Sequence, residues 1–368
     1  MQNIRKSFIA LVVIVVALGF AGGVVGELWV NSFLLPDPYL SFKSYSDLSY
    51  KIDELIQGQV QKNEVADLDV GVNKAIQKAR PTIASVYRFR NFSKNAIASL
   101  LPGDLLGQAV IITNNGWLVT SSQLAVSQAD VYYVVTNDQK VYQTKKIIID
   151  NEIGVAFLKI EANNLPVMEF KLRQDTVDGQ AVFLFGPAGE IFSTSINNKY
   201  YSELNTQNDY IHSSEEFYKY IMLQEKSDKQ YEGSPAIGLD GKMIGLVGHE
   251  AGLILPINHL TDLMKASVQG ETWKRPYLGV QFYDLSEIIN PEIVETKGAE
   301  IKAVKSDSPA KGLLLAQDII LKVESEELSA TKNLTELISQ YQQGETIKLS
   351  VKRNDQEQEI SVKLAGKE

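Results

Sequence analysis

The sequence of 368 residues contains no cysteine and only three histidines. Without cysteine the chain has no disulfide framework, no thiol nucleophile and no cysteine-based metal site. His212, His249 and His259 are far apart and lack the i, i+4 spacing of a metal-binding pair. The net charge is −9 and no dense Lys/Arg patch is present, which argues against a nucleic-acid partner. We therefore expect no metal, no other cofactor and no nucleic acid.

One long apolar run is present, from Phe8 to Gly26. It carries no charge and has about the length that spans ~30 Å of hydrocarbon. Arg5 and Lys6 precede it, and by the positive-inside rule they hold the N-terminus in the cytoplasm. A cleaved signal peptide is the alternative, but no clean small-x-small cleavage site precedes Glu27. We predict a single-pass cell-membrane anchor in residues 1–30, with the rest of the chain extracytoplasmic.

The stretch after this run is polar and of mixed composition. Residues 31–70 include Pro36 and Pro38 and are interpreted as a tether. A short helix is predicted over Val72–Ala79, closed off before Pro81.

Short apolar runs of strand length follow from Thr82 to about Val247, separated by turn signals such as Asn115-Gly116 and Asp178-Gly179. Many short strands with such turns predict an all-β barrel or sandwich. A helix over Leu260–Val268 and a domain boundary near Trp273 come next. The clearest strand candidates are Ala109–Thr113, Trp117–Thr120, Val131–Val135, Lys145–Ile149, Val155–Ile160, Ala181–Phe185 and Met243–Val247.

Several of these segments form a pattern in fixed order: Gly107–Ile112, Asn115-Gly116, Trp117–Ala125, Asp150–Ile160, Phe185-Gly186-Pro187 and Pro235–Gly241. Together they resemble the HtrA family of trypsin-like serine proteases, and the resemblance extends over about residues 72 to 366. It implies a mostly β fold, with a trypsin-like double β-barrel in residues 71–270. An α+β PDZ domain is implied for residues 274–366.

The family's three catalytic positions are altered in this chain. Gln123 stands where the resemblance places the catalytic histidine, and Gly154 stands where it places the aspartate. Glu232 replaces the nucleophilic serine, in a register set by Pro235–Gly241. An amide cannot take up the proton of a nucleophile as imidazole does, and glycine has no side chain to orient a base. We therefore predict a pseudoprotease without a conventional catalytic triad.

An alternative is relocated catalysis. Ser234 lies two residues beyond the nucleophile position, and His212 or His249 from flanking loops would have to serve as its base. A serine in a Gly-Ser-Pro turn is also ordinary turn chemistry. On this alternative the chain is an active serine endopeptidase of extracytoplasmic protein quality control.

The C-terminal region carries a second set of motifs. Tyr277-Leu278-Gly279-Val280, Ser306–Ala310 and Gly312-Leu313 resemble the PDZ domains that follow HtrA protease domains. The first motif implies a loop whose backbone N–H groups receive a peptide carboxylate, and the strand after it implies β-augmentation. The strand candidates are Glu300–Val304, Asp318–Val323, Thr346–Arg353 and Glu357–Leu364, and the helix candidate is Asn333–Gln342. The groove is expected to be lined by Val280, Phe282, Leu334, Leu337 and Ile338, although core packing explains the three helix residues equally well.

The resemblance implies a membrane-anchored protein that binds peptides, protein C-termini or unfolded proteins in a regulatory, chaperone-like or scaffolding role. It also implies assembly as a homotrimer or with active relatives. A purely structural tether with an empty PDZ groove is a third interpretation.

Overall fold

The computed structural model describes residues 13–25, 64–88, 100–125, 127, 131–187, 189–248, 250, 252–270, 274–290 and 296–367. The chain divides into two compact units, Met1–Leu68 and Asp69–Glu368. In the first unit, residues 13–25 form helix α1, whose side chains are exposed. Within the described ranges, no helix combines the length and apolar character required to cross a bilayer. Arg5, Lys6, the ends of the apolar run and most of the tether lie outside those ranges.

Helix α2 spans Glu64–Ala79. The prediction of a start at Val72 was wrong, because the helix continues through Gly71 toward the N-terminus. An interior glycine costs a helix only ~1 kcal/mol, which neighbouring turns can offset. The predicted end is confirmed, since the helix gives way to a 3-10 turn that contains Pro81.

The first barrel closes in the strand order β1-β2-β3-β6-β5-β4. Its interior holds fully buried apolar side chains such as Ile111, Leu118 and Leu158. The strand predicted at Val155–Ile160 has the observed bounds. The strand predicted at Ala109–Thr113 is displaced toward the C-terminus relative to the observed strand, Leu105–Ile111. The six strands are β1 Ile83–Arg88, β2 Leu105–Ile111, β3 Trp117–Ser121, β4 Tyr132–Val135, β5 Val141–Asp150 and β6 Val155–Ile160.

The second barrel closes in the order β10-β13-β12-β11-β7-β8. A shared apolar cluster joins it to the first barrel, with Phe157 contributed by the first and Phe183 by the second. Helix α3, Thr261–Gln269, packs on this cluster and ends at Gly270, whose φ of 75° suits a left-handed cap. The barrel strands are β7 Ala181–Phe185, β8 Ile191–Tyr201, β10 Tyr220–Leu223, β11 Pro235–Gly238, β12 Met243–Val247 and β13 Leu253–Pro256.

The C-terminal domain is built on a sheet in the order β20-β19-β17-β16-β15-β9, with β18 paired to β17 and a separate β14-β21 pair. Strand β9, Ile211–Ser213, comes from the connection between β8 and β10 of the second barrel. This strand is not among those predicted from the sequence. The other strands are β14 Arg275–Tyr277, β15 Val280–Asp284, β16 Ala299–Val304, β17 Ile319–Val323, β18 Glu326–Glu327, β19 Thr346–Arg353, β20 Gln356–Lys363 and β21 Ala365–Lys367.

Helix α4 spans Leu334–Ile338 and is shorter than the predicted Asn333–Gln342. Asn333 caps it, since its side chain accepts a hydrogen bond from the Glu336 N–H at 3.0 Å. Beyond Ile338 the backbone bonds tighten to three-residue spacing, with the Tyr341 N–H donating to the Ile338 carbonyl. The predicted continuation to Gln342 was therefore wrong.

Candidate functional site

A cleft lies beside the turn that follows β3. Gln123 and Gly154 line it, and Glu232, the third residue predicted to stand at a triad position, is bonded to the same turn. The Ser122 N–H donates to the Gly154 carbonyl at 3.0 Å. The Ser121 hydroxyl donates to Glu232 Oε1 at 3.1 Å and accepts the Gln123 N–H at 3.1 Å. Residues far apart in the sequence are thus held around one short turn.

The three side-chain positions differ in their environment. Gln123 is exposed, whereas Glu232 is buried and bonded to the Ser121 hydroxyl. Gly154 has φ of 81°, and a Cβ added there would meet no atom within 4 Å. The space that an aspartate side chain would enter is therefore open. Neither an amide nor a carboxylate supplies the imidazole proton transfer on which serine-protease catalysis depends.

The cleft has a volume of about 690 Å³. Turn residues Ser121 to Gln123 and the Gly154 backbone form one side of it. Three other segments complete the wall of the cleft: the loop before β9, the segment that begins in β9, and the end of β12. They contribute Ser202, Glu203, Asp209, His212, Phe217, Tyr218, Leu246, Val247 and Gly248, among others.

Ser234, the candidate for relocated catalysis, is fully buried. Its hydroxyl donates to the Phe185 carbonyl at 2.7 Å, and its backbone N–H donates to the Tyr231 carbonyl at 2.9 Å. These bonds give the hydroxyl a structural role at the start of β11. His249 lies outside the described residues, and His212 is bonded to Glu287 at 2.7 Å.

Another serine and histidine do share a carboxylate at the cleft. Ser202 donates to Glu287 Oε1 at 2.5 Å, while Glu287 Oε2 bonds Nε2 of His212 at 2.7 Å. A catalytic triad requires the imidazole between hydroxyl and carboxylate. Here the carboxylate stands in the middle, so this group ties elements together and does not activate the hydroxyl.

The predicted carboxylate-binding loop lies between β14 and β15. Leu278 and Val280 are fully buried, and Tyr277 is half-buried. Gly279 has φ of 81°, and a Cβ there would overlap the Cβ of Ser308. Only glycine fits this loop without strain.

The predicted groove residues belong to the core of the PDZ domain. The buried cluster includes Phe282, Leu334, Leu337 and Ile338, each no more than 3% exposed. The interpretation of the helix residues as core packing, which the sequence left open, agrees with this burial. The space between β15 and α4 is occupied by residues of the same chain, beginning with β9, which pairs with β15.

Two groups of buried charges join the second barrel to the PDZ domain. Lys219 Nζ lies 2.8 Å from Asp284 Oδ2 and 3.6 Å from Glu287 Oε1, and its side chain is only 2% exposed. Burial, together with the charges of Asp284 and Glu287, raises the pKa of the neighbouring Tyr218 hydroxyl well above its ordinary value. The phenol therefore stays protonated and donates to Asp284 Oδ2 at 2.9 Å.

The second group contains Arg173, Glu336 and His259. Arg173 forms an ion pair with Glu336 on α4, and His259 Nε2 lies 3.2 Å from the same carboxylate. Burial lowers the pKa of His259, against the raising effect of Glu336, so the imidazole is neutral at neutral pH. Buried pairs of this kind hold two elements in a defined relation because separating them leaves an uncompensated charge.

Comparison with known proteins identifies two domains in the chain. The trypsin-like peptidase domain model matches residues 105–246, and the PDZ domain model matches residues 276–364. Two relatives are a probable periplasmic serine endoprotease DegP-like from Marinomonas sp. (strain MWYL1) and the serine protease Do-like HtrA of Bacillus subtilis (strain 168). Their identities are 27% over 279 residues and 26% over 286 residues, each with 71% of this chain covered. The chain spans 57% and 62% of their respective lengths.

Solved structures share the fold. HtrA-type protease AlgW with a tripeptide superposes with a TM-score of 0.61 at 22% identity, covering 81% of this chain and 97% of that chain. AlgW with a decapeptide gives 0.59 at 20% identity, covering 81% and 99%. The class is therefore a trypsin-like double β-barrel followed by a PDZ domain. Both domains in this order, together with these relatives, support an HtrA family protein.

Proposed function

We propose that this chain is a membrane-anchored, extracytoplasmic pseudoprotease of the HtrA family that binds peptides through its PDZ domain. One observation carries the proposal: Gln123 and Gly154 line the cleft, and Glu232 is buried against the same turn through its bond to Ser121. Loss of triad members reduces catalysis by ~10⁴-fold to 10⁶-fold. The cleft, barrels and PDZ domain are retained, which favours a role in binding.

The extracytoplasmic location is supported by the relatives, since the one from Marinomonas is described as periplasmic. The anchor is supported by the sequence and by helix α1, in which Val13, Val16 and Phe20 are 60%, 66% and 77% exposed. Large apolar side chains on a helix need a covering, and the bilayer supplies one. Membrane-flotation of the full chain tests this part, because a protein without an anchor stays at the bottom of the gradient.

Peptide binding is supported by the carboxylate-binding loop at Gly279 and by the peptide complexes of AlgW. Protein C-termini and unfolded proteins are the proposed ligands, in a regulatory, chaperone-like or scaffolding role. Assembly as a homotrimer, or with active relatives, is part of the same proposal. Light scattering of the detergent-solubilised chain measures the oligomer directly.

The decisive experiment measures catalysis. The full chain is incubated with unfolded casein and, separately, with a fluorophosphonate probe, beside the Bacillus subtilis HtrA protein as the positive control. We expect neither cleavage nor labelling, in the wild type and in Ser234→Ala alike. Labelling that disappears in Ser234→Ala would establish relocated catalysis and refute the pseudoprotease.

A further inference from the structure

Residues 211–215 lie in the groove of the PDZ domain as a peptide ligand would. Strand β9 pairs antiparallel with β15, with Phe282 opposite His212 and Gln281 opposite Ser213. The pairing continues past the strand, because the Ser214 N–H donates to the Val280 carbonyl at 3.0 Å. The segment therefore adds an edge strand to the PDZ sheet, which is the backbone mode of β-augmentation.

The carboxylate-binding loop is occupied by two side-chain oxygens of this segment. The Gly279 N–H donates to Glu215 Oε1 at 2.9 Å, and the Val280 N–H donates to the Ser214 hydroxyl at 3.1 Å. Ser214 in turn donates to Glu215 Oε1. Two oxygens, one of them anionic, thus satisfy the N–H groups that a terminal carboxylate would satisfy.

The charge of Glu215 is compensated inside the groove. Lys305 Nζ lies 2.9 Å from Glu215 Oε2, and the Ser213 hydroxyl donates to the same oxygen at 2.8 Å. The Glu215 side chain is completely buried. Burying a carboxylate is costly unless it is paired and hydrogen-bonded, and these contacts fulfil that requirement.

The opposite wall of the groove also contacts the segment. Thr335 on α4 donates its hydroxyl to the Ser213 carbonyl at 3.1 Å. The backbone carbonyl of Glu215 accepts from Arg275 Nη1 at 3.2 Å. The segment is therefore held from the strand, the helix and the loop at once.

We propose that Ile211–Glu215 is an intramolecular ligand of the PDZ groove, which a peptide with a free C-terminal carboxylate must displace. The inference rests on the proposed peptide-binding function, and it describes how that function is regulated. Since only the fraction of molecules with an empty groove binds, the apparent affinity falls by that fraction.

The same segment forms part of the cleft. His212 stacks on Tyr218 with ring centroids 3.6 Å apart, and both rings line the cleft that contains Gln123 and Gly154. His212 also faces Phe282 of the groove, with centroids 5.8 Å apart. Withdrawing the segment from the groove moves one wall of the cleft, so occupancy of the groove is coupled to the shape of the cleft.

The register of the segment defines a suitable probe. Ser214 donates its N–H to Val280, so in a peptide that ends at this serine the terminal carboxylate falls beside the loop N–H groups. The probe is a fluorescein-labelled copy of residues 207–214 with a free C-terminus. Its C-terminal amide is the matched control, because it lacks the anionic oxygen.

The first experiment measures binding of this probe to the full chain in detergent by fluorescence polarisation. Glu215→Ala and the isosteric Glu215→Gln are expected to bind it about tenfold or more tighter than the wild type. The disulfide variant Ser213→Cys with Gln281→Cys joins a directly opposed pair in a chain without other cysteines. It should lose binding when oxidised and regain it on reduction.

The second experiment needs no probe and separates the two proposals. Hydrogen exchange of residues 211–215 should be slow in the wild type and at least about tenfold faster in Glu215→Ala. Fast exchange of residues 211–215 in the wild type overturns the proposal of an intramolecular ligand. Measurable probe binding with the same affinity in all variants overturns it as well. Slow exchange with no probe bound by any variant supports the intramolecular ligand and refutes peptide binding.

Discussion

The cleft and the PDZ groove differ in what occupies them. The cleft beside Gln123 and Gly154 is an open cavity of about 690 Å³, and on the proposed function it lacks the catalytic chemistry of a serine protease. The groove is instead filled at the Gly279 loop by the chain's own Glu215. On these proposals, replacing a catalytic side chain abolishes catalysis, whereas an occupied groove only raises the peptide concentration that binding requires.

The largest expected effect concerns the buried charges between the two regions. Lys219→Ala leaves Asp284 buried beside Glu287 without its cation, and breaking such a pair costs about 3–5 kcal/mol. Urea unfolding of the full chain measures the loss of stability. The control is Lys348→Ala, which removes an exposed pair with Glu359 and should leave the unfolding midpoint nearly unchanged. Equal midpoints for both variants would mean that Lys219 does not join the regions.

A smaller effect is expected at the carboxylate-binding loop. In Gly279→Ala the new Cβ sits on a backbone with positive φ and overlaps Ser308. We expect the free energy of unfolding to fall by about 2–4 kcal/mol. Gly312→Ala is the matched control, because its φ of 77° is similar but its Cβ would meet nothing within 4 Å. Its cost should be about 1–2 kcal/mol. If the two variants lose the same stability, close packing against Ser308 does not shape the loop.

The smallest effect is a dependence on pH. Burial acts to raise the pKa of Glu215, but hydrogen bonds from Ser214, Lys305, Ser213 and the Gly279 backbone outweigh it and hold the pKa below the ordinary 4.5. A carboxyl group whose pKa is lowered by folding stabilises the docked segment above pH 4.5, and this contribution is lost as pH falls through the lowered value.

Hydrogen exchange of residues 211–215, corrected for its intrinsic pH dependence, should therefore accelerate as the pH falls below about 4.5. The other ionisable groups nearby are Lys305, Glu216, Tyr277 and Arg275. The pKa values of Lys305 and Tyr277 are both raised above their ordinary values, so these two groups keep their protons in this range. Glu215→Gln is the control, since it should show no such acceleration. The same acceleration in Glu215→Gln would assign the pH dependence to another group.

Most strands of both barrels are predictable from the sequence because they are short apolar runs bounded by glycine turns. Four predicted strands have the observed bounds: Val155–Ile160, Ala181–Phe185, Met243–Val247 and, in the PDZ domain, Thr346–Arg353. Strand β9 escaped because three residues, Ile211–Ser213, carry no periodicity that distinguishes a strand from a loop. Its pairing depends on a partner about 70 residues away in sequence, β15, and only the folded chain brings the two together.

Order and residue type along the chain were enough to predict the trypsin-like and PDZ domains, which the domain models match, whereas the residues at the triad positions stay a prediction. The residue type at each of these positions is a local property, which the sequence gives directly. The tertiary structure alone decided that Glu215 reaches the Gly279 N–H and that Ser234 is committed to the Phe185 carbonyl. Both contacts join residues that are remote in sequence. They form only when the barrels and the PDZ domain pack, because burial then requires each polar group to find a hydrogen-bond partner.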